Sequence, residues 1–396
     1  MSNKTSNKDK VTLCAQHECC GCMACYNVCP SNGIRFVENQ DKVLVPLINY
    51  DVCIACGRCR AVCPVIHQTI GNEPIAAFAS YTKNKKDVKT CSSGGIATAF
   101  YRSVLQRGGV VVGAIEQGAK PPKLQCAESL EQIEAFKGSK YVFVQPGQVY
   151  KEIEKELKTG RECLFIGVPC QVDALIHYLG KQYDNLYTVD IICHGTPSFE
   201  YLREYLKVIA KEREIEKYSF RGERDYRLVV YSHGRIIYNR RCDEDVYFAS
   251  FLQGLIHREV CYQCHYAGEK RVSDITIGDY WGASETVLNG YKGKISAVLI
   301  NTEKGKKFWD TSVNELIFED TPVISVIKGN SQLRRPSLKH AEREVFLNEL
   351  RKSGSFNLAL RATSIVKRVK LTRIENILLL IPRLVKQKIL TSHSAK

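Results

Sequence analysis

The sequence predicts a small α+β domain followed by a larger α/β domain (class α+β / α/β). Two observations carry that expectation: a cysteine run near the N-terminus occurs twice, and strand-like and helix-like patterns alternate from about residue 75 onward. At roughly 100–200 residues per domain, 396 residues suit two or three domains. The expected divisions are 1–70, 75–160, 161–330 and a basic helical tail, 331–396.

The cysteine repeat comes first. Cys19, Cys22, Cys25 and Cys29 precede Pro30, and Cys53, Cys56, Cys59 and Cys63 precede Pro64. Both runs read C-x2-C-x2-C-x3-C-P, with every cysteine offset by 34 residues. This is the spacing of bacterial ferredoxins, which hold [4Fe–4S] clusters. Thiolates at i, i+3 and i+6 let one tight loop hold three corners of a cubane, while the fourth leaves on the next turn and ligates the other cluster. One expected ligand set is Cys19, Cys22, Cys25 and Cys63; the other is Cys53, Cys56, Cys59 and Cys29. A zinc ribbon needs two C-x2-C pairs, whereas these eight thiols form two three-plus-one sets. Cys14 and Cys20 fall off the spacing and read as spare thiols. Between the runs, residues 33–50 read as two short strands around a polar turn at Asn39–Asp41.

In the body of the chain, Ser92–Ser93–Gly94–Gly95 opens an expected helix over 96–107, with serine as its N-cap and Gly108–Gly109 as its stop. Such a helix start is also an anion site, because free N–H groups and the dipole face the ligand. CLFIGVP (163–169) reads as a buried strand, Cys170–Gln171 opens a helix, and LYTVDIIC (186–193) is another strand. A strand–helix–strand unit favours parallel strands. Cys170 and Cys193 then sit at neighbouring carboxyl ends, where open α/β sheets bind ligands. Cys261 and Cys264 add a C-x2-C pair. Two readings stand for these four thiols: a third metal centre, iron–sulfur or zinc, or small buried side chains that bind nothing.

At these segments the chain resembles the coenzyme F420 hydrogenase/dehydrogenase beta-subunit family. The matching elements are SSGGIATA (92–99), GSKYV (138–142), GVPCQVDAL (167–175), ICHGTPS (192–198) and the C-x2-C pair with RVSDITIGDYWG after it. The resemblance implies an α/β flavin-binding domain with FAD and a third [4Fe–4S] cluster held by Cys170, Cys193, Cys261 and Cys264. It also implies a flavin site near Ser92, Ser93, Gly94, Gly95, Lys140, Pro169 and Gln171. Members fused to an N-terminal ferredoxin often accompany surface-polysaccharide enzymes. FRGERDYR (220–227) departs from the family, lacking the usual Gly-Trp, so no deazaflavin contact transfers there. Cys91 is assigned no role.

The expected activity is an oxidoreductase that exchanges electrons with a ferredoxin or partner subunit and reduces, or oxidises, an organic substrate or deazaflavin. His194 is the candidate catalytic proton donor. The alternatives are a non-catalytic electron-transfer subunit of a larger complex, and a metal scaffold without flavin.

The formal charge of +15 makes nucleic acid a poor partner, because more than half of the excess lies in the last 36 residues. That tail mixes basic residues with Ile and Leu and is broken by Pro382. It suits peripheral contact with an anionic membrane, or packing on the body. With no secretory h-region and no run of about 18 apolar residues, a cytoplasmic chain is expected.

Overall fold

The computed structural model describes residues 11–222 and 225–378. They divide into two compact units, one from residues up to 200 with 257–338, the other from 201–256 with the residues after 338. The divisions at 70, 160 and 330 drawn from the sequence all fall inside the first unit.

The first unit opens with the cysteine repeat. Each run turns into a short helix, α1 (Ala24–Val28) and α2 (Arg58–Ala61), starting at repeat-equivalent residues. The turns are equivalent too: Gly21 and Ala55 have φ of 74° and 55°, Met23 and Gly57 of 61° and 73°. A left-handed backbone costs a non-glycine residue about 1–2 kcal/mol, so Met23 and Ala55 hold this loop shape against local preference. Such strain persists where the surroundings over-determine it, and it clusters at ligand sites. Between the runs, β1 (Ile34–Glu38) and β2 (Leu44–Ile48) pair antiparallel. The Asn39 side chain closes their turn by accepting the Asp41 and Val43 amides, each at 3.0 Å.

The chain then builds β3 (Ala76–Thr82), α3 (Lys85–Thr90), α4 (Ile96–Gln106), β4 (Val110–Gln117) and β5 (Lys120–Ala127). After these come α5 (Val149–Lys158), β6 (Cys163–Gly167), α6 (Pro169–Leu179), β7 (Leu186–Ile191) and α7 (Phe199–Ala210). The second unit contributes β8 (Lys217–Arg221), β9 (Tyr226–Ser232) and β10 (Arg235–Arg241). The first resumes with β11 (Ile275–Asp279), β12 (Ser296–Ile300) and β13 (Leu316–Asp320). Its eight-stranded sheet has the order β13-β3-β12-β11-β7-β6-β4-β5.

Strands β4, β6, β7 and β11 are parallel, and β3 points with them through two antiparallel steps. The strand–helix–strand expectation for 163–191 describes β6, α6 and β7. The sheet as a whole is mixed, because β5, β12 and β13 run the other way. Five strands therefore deliver their carboxyl ends to one edge, where the 92–95, 168–171 and 193–195 loops begin.

Alternate residues serve the two faces of this sheet. Val111, Leu164, Ile166 and Val189 meet Phe100, Phe308 and Trp309 on one face. Val110, Val112, Phe165 and Leu186 meet the helical layer of Tyr150, Val172 and Leu175 on the other. Cys20, Cys22, Ala24 and Val62 belong to this second apolar cluster. The ferredoxin-like region is thus part of the unit's core and not a bead on a linker. Residues 66–75 are pinned as well, with Asn72 and Arg271 exchanging both backbone hydrogen bonds at 2.8 Å.

The second unit has a three-stranded antiparallel sheet, β10-β9-β8, and an aromatic core in which Tyr201 stacks on Phe356 at 4.9 Å. Buried Asp245 caps the helix Val246–Leu252 through the Phe248 amide at 2.7 Å. It also accepts the hydroxyls of Tyr205 and Tyr238, each at 2.8 Å. In the described part of the basic tail, Leu371 and Ile374 are exposed; the tail from residue 379, with Pro382, lies outside the described residues. No described helix is long and apolar enough to cross a membrane.

Candidate functional site

Cys29 from the first repeat and Cys53, Cys56 and Cys59 from the second line one small cavity, together with Pro30 and Gly57. Its volume is about 20 Å³. The Cys29 sulfur accepts the Gly33 amide at 3.2 Å, and this bond with those from Ser31 lowers its pKa against the opposing push of burial. In the other set, Cys25 lies among Cys19, Cys63 and Cys59. Cys14 joins that set as a neighbour of both Cys19 and Cys63. Its influence, ahead of other causes, pulls the Cys63 thiol down to about 7. Cys22 lies beside Cys20. Its carbonyl accepts the buried Tyr150 hydroxyl at 2.9 Å.

A second, larger cavity lies at the carboxyl edge of the sheet. Cys170 stands just beyond β6, Cys193 just beyond β7, and Cys261 in a short 3-10 turn that ends at Cys264. All four line this cavity of about 50 Å³, beside Pro169, His194, Gly195 and Tyr266. One water needs about 10–15 Å³, so the space suits a polyatomic group. Among the described residues, no three His, Cys, Asp or Glu side chains converge as tightly as one metal ion requires. Burial pushes Cys193 up to about 12 and Cys264 to about 11. Thiols held in the protonated form give up that proton when a metal binds.

Polar pairs tie the walls together. Arg271, at the base of the C-x2-C arm, pairs with Asp190 at the end of β7 at 2.7 Å and donates to the Tyr266 carbonyl at 2.8 Å. The Tyr266 hydroxyl donates to Asp173 on α6 at 2.7 Å. His194 lies with its ring 5.6 Å from that of His257, edge to face, and its carbonyl accepts the Ser337 hydroxyl at 2.7 Å.

The Ser92–Gly95 loop occupies the same sheet edge, but serine does not cap α4. Gly95, at φ 83°, is the N-cap, and no side chain caps the helix. The serines are drawn to β12 instead: Ser296 donates to Ser93 at 2.9 Å, and Ser93 to the Ile295 carbonyl at 3.2 Å. The Ser92 hydroxyl is buried without a hydrogen-bond partner. Gln171 locks the turn after β6, accepting the Val168 amide at 3.3 Å and donating to the Val144 carbonyl at 3.0 Å. The Lys140 ammonium donates to the Phe136 and Lys137 carbonyls, each at 2.9 Å. Burial brings its pKa down to about 7. No hydrogen bond joins it to the 92–95 loop among the described residues.

Residues 160–324, which hold Cys170, Cys193, Cys261 and Cys264, match the family described as the C terminus of the coenzyme F420 hydrogenase/dehydrogenase beta subunit. Residues 18–66 match the 4Fe-4S dicluster domain. The chain carries the C-terminal domain of that beta subunit behind a 4Fe-4S dicluster domain. Outside these two segments, the likeness extends over nearly the whole length of one relative. A subunit of the F(420)H(2) dehydrogenase of Methanosarcina mazei is 23% identical over 90% of this chain and 99% of that protein. Coenzyme F420-dependent sulfite reductase of Methanocaldococcus jannaschii is 24% identical over 73% of this chain and 45% of that protein. A chain of the F420-reducing [NiFe] hydrogenase complex from Methanosarcina barkeri superposes with a TM-score of 0.44, at 21% identity, over 77% of this chain and 92% of that one. The beta-type and dicluster domains together make this an iron–sulfur chain of oxidoreductase type.

Three site residues escape the sequence patterns. Cys20 lines the larger cavity beside Cys170. Cys14 joins Cys19 and Cys63. Arg258, ahead of the C-x2-C pair, is buried at 2% exposure. Spacing offers no signal for the two thiols, since their neighbours come from distant segments. The described residues of FRGERDYR, 220–222 and 225–227, belong to the second unit, where Arg227 pairs with Asp225 at 2.6 Å.

Proposed function

We propose that the chain is an oxidoreductase subunit that carries electrons through three [4Fe–4S] clusters to FAD. The observation that supports it most is the meeting of Cys170, Cys193, Cys261 and Cys264, from three separate stretches of chain, around one cavity of about 50 Å³. In the dicluster domain the proposed ligands are Cys29, Cys53, Cys56 and Cys59 for one cluster and Cys19, Cys22, Cys25 and Cys63 for the other. When bound, the clusters supply single-electron transfer, and the flavin exchanges single electrons for a hydride.

The remaining work belongs to the chain. The uncapped start of α4 and the unpartnered Ser92 hydroxyl offer donors to flavin phosphates. Gly94 and Gly95 let the backbone approach closely, and Pro169, which lines the cysteine cavity, follows β6 at the same sheet edge. His194 lines that cavity as the proposed proton donor. Lys140 braces the loop before α5 from its carbonyl side. The substrate is coenzyme F420 or another organic acceptor, and the electron partner is a ferredoxin or companion subunit. A subunit without turnover of its own is a second reading, favoured by the near full-length likeness to one component of a dehydrogenase.

Purification without oxygen tests both. About twelve iron atoms per chain are expected, and Cys261→Ser should retain about eight. Eight in the wild type, or no loss in the variant, removes the third cluster. Oxidation of reduced F420 by the isolated chain supports the enzyme, and activity only with a partner supports the second reading.

A further inference from the structure

Among the described residues, Arg258 is the most deeply buried cation of the first unit that has no acid beside it. Arg271 pairs with Asp190, Lys137 and Arg102 both pair with Asp87, and Lys140, also buried, is held by the Phe136 and Lys137 carbonyls. Arg258 instead spends one nitrogen, Nη2, on the carbonyls of Cys19 and Leu44, both at 3.0 Å, and lies over the Phe143 ring at 4.7 Å. Its Nε is buried and makes no hydrogen bond. An unpaired charge in such a place costs several kcal/mol, so a folded chain that keeps one there needs negative charge close by.

The position of Arg258 shows where that charge belongs. Its side chain grips the carbonyl of Cys19, in the first ferredoxin loop. Its backbone carbonyl accepts the Cys261 amide at 3.0 Å, which starts the turn bearing the C-x2-C pair. Cys20, the residue after Cys19, already lines the larger cavity. Arg258 therefore stands where the first ferredoxin loop meets the third thiol set. The remaining set, Cys29 with Cys53, Cys56 and Cys59, has its own cavity, lined by no residue beyond Cys59.

We propose that Arg258 is a shared counter-charge for the Cys19 cluster and the Cys170 cluster, raising both reduction potentials and leaving the third unchanged. The proposal rests on the three-cluster reading above. A cubane with four thiolates is a net anion and gains one more negative charge on accepting an electron. A fixed cation stabilises that reduced form, and net charge is one of the quantities that set cluster potentials. By acting on both members of one transfer step, Arg258 would keep them matched, so that an electron leaving one reduces the other without a large uphill step.

The test is a dye-mediated redox titration of anaerobically purified full-length protein, followed by electron spin resonance, with Arg258→Gln and Arg258→Lys. Iron per chain is counted in each. Arg258→Gln should keep its iron, and two of the three potentials should fall by an amount equal to about a tenfold change in equilibrium or more, ~59 mV for one electron. Arg258→Lys should stay close to the wild type. Unchanged potentials in Arg258→Gln, or an equal fall in all three, would overturn the proposal. If Arg258→Gln loses iron, Arg258→Lys decides: retained iron and wild-type potentials support a charge requirement, and lost iron assigns Arg258 a structural role only. An iron count of eight in the wild type would sink the third cluster separately and leave Arg258 to be judged on the Cys19 cluster alone.

Discussion

Cys20 has no counterpart in the second repeat, where the equivalent position is Ile54, 60% exposed. A residue that breaks a repeat answers to something outside it, and here that is the larger cavity, where Cys20 lies beside Cys170. Four irons need four thiolates, and this cavity holds five. Cys20 is close enough to replace Cys170 but belongs to a different segment from Cys261. Cys170→Ala should therefore keep nearly all of its iron, while Cys20→Ala with Cys170→Ala should lose about four atoms per chain. Loss of four atoms from Cys170→Ala alone would show that Cys20 cannot serve. The eight repeat cysteines were legible because ligand spacing is a local property of the chain. Cys14, Cys20 and Arg258 were not, because their roles depend on where Cys63, Cys170 and Phe143 arrive. Alone, an arginine before a C-x2-C pair reads as an ordinary surface charge.

At the scale of elements, the strands, α4 and α6 follow from apolar patterning, and helix starts are where sequence reasoning misassigned residues. Ser92–Gly95 reads as a serine cap on α4. In the fold the loop must first pass between β3 and β12, and this pulls the serines sideways. Gly94 passes so close that an added Cβ would lie 2.5 Å from the Ser80 carbonyl oxygen and 2.9 Å from the Ser296 nitrogen. Both neighbours are backbone atoms of the sheet and cannot rotate away. Gly94→Ala should therefore cost about 1–3 kcal/mol, measured as a lower midpoint in urea. It should also release bound flavin, read by its absorbance after desalting. A variant with the wild-type midpoint and full flavin would show that the loop has room to spare. Lys140, which its GSKYV context puts near the flavin, is held in the fold by carbonyls: three lie within reach of the ammonium and two hold it at 2.9 Å.

For the molecule as a whole, the sequence suggests a ferredoxin domain that ends near residue 70, which raises the question of whether the rest folds without it. Packing argues that it does not. Ala24 and Val62, buried within the repeat, share one apolar cluster with Tyr150, Val172 and Leu175, each fully buried. The Tyr150 hydroxyl reaches back to Cys22, and the Asn27 amide donates to the Gly147 carbonyl at 2.7 Å. Removing residues 1–70 would expose the α5–α6 face to water. Burying a side chain of this size contributes about 1.5–3 kcal/mol, so losing several such contacts rivals the net stability of a domain, about 5–15 kcal/mol. A chain starting at residue 71 should therefore aggregate, or bind a hydrophobic dye and melt without a cooperative transition. Its larger cavity would also lack Cys20. If the truncated chain is soluble, melts at the wild-type temperature and still binds about four iron atoms, the repeat is an independent module and the shared core carries little of the unit's stability.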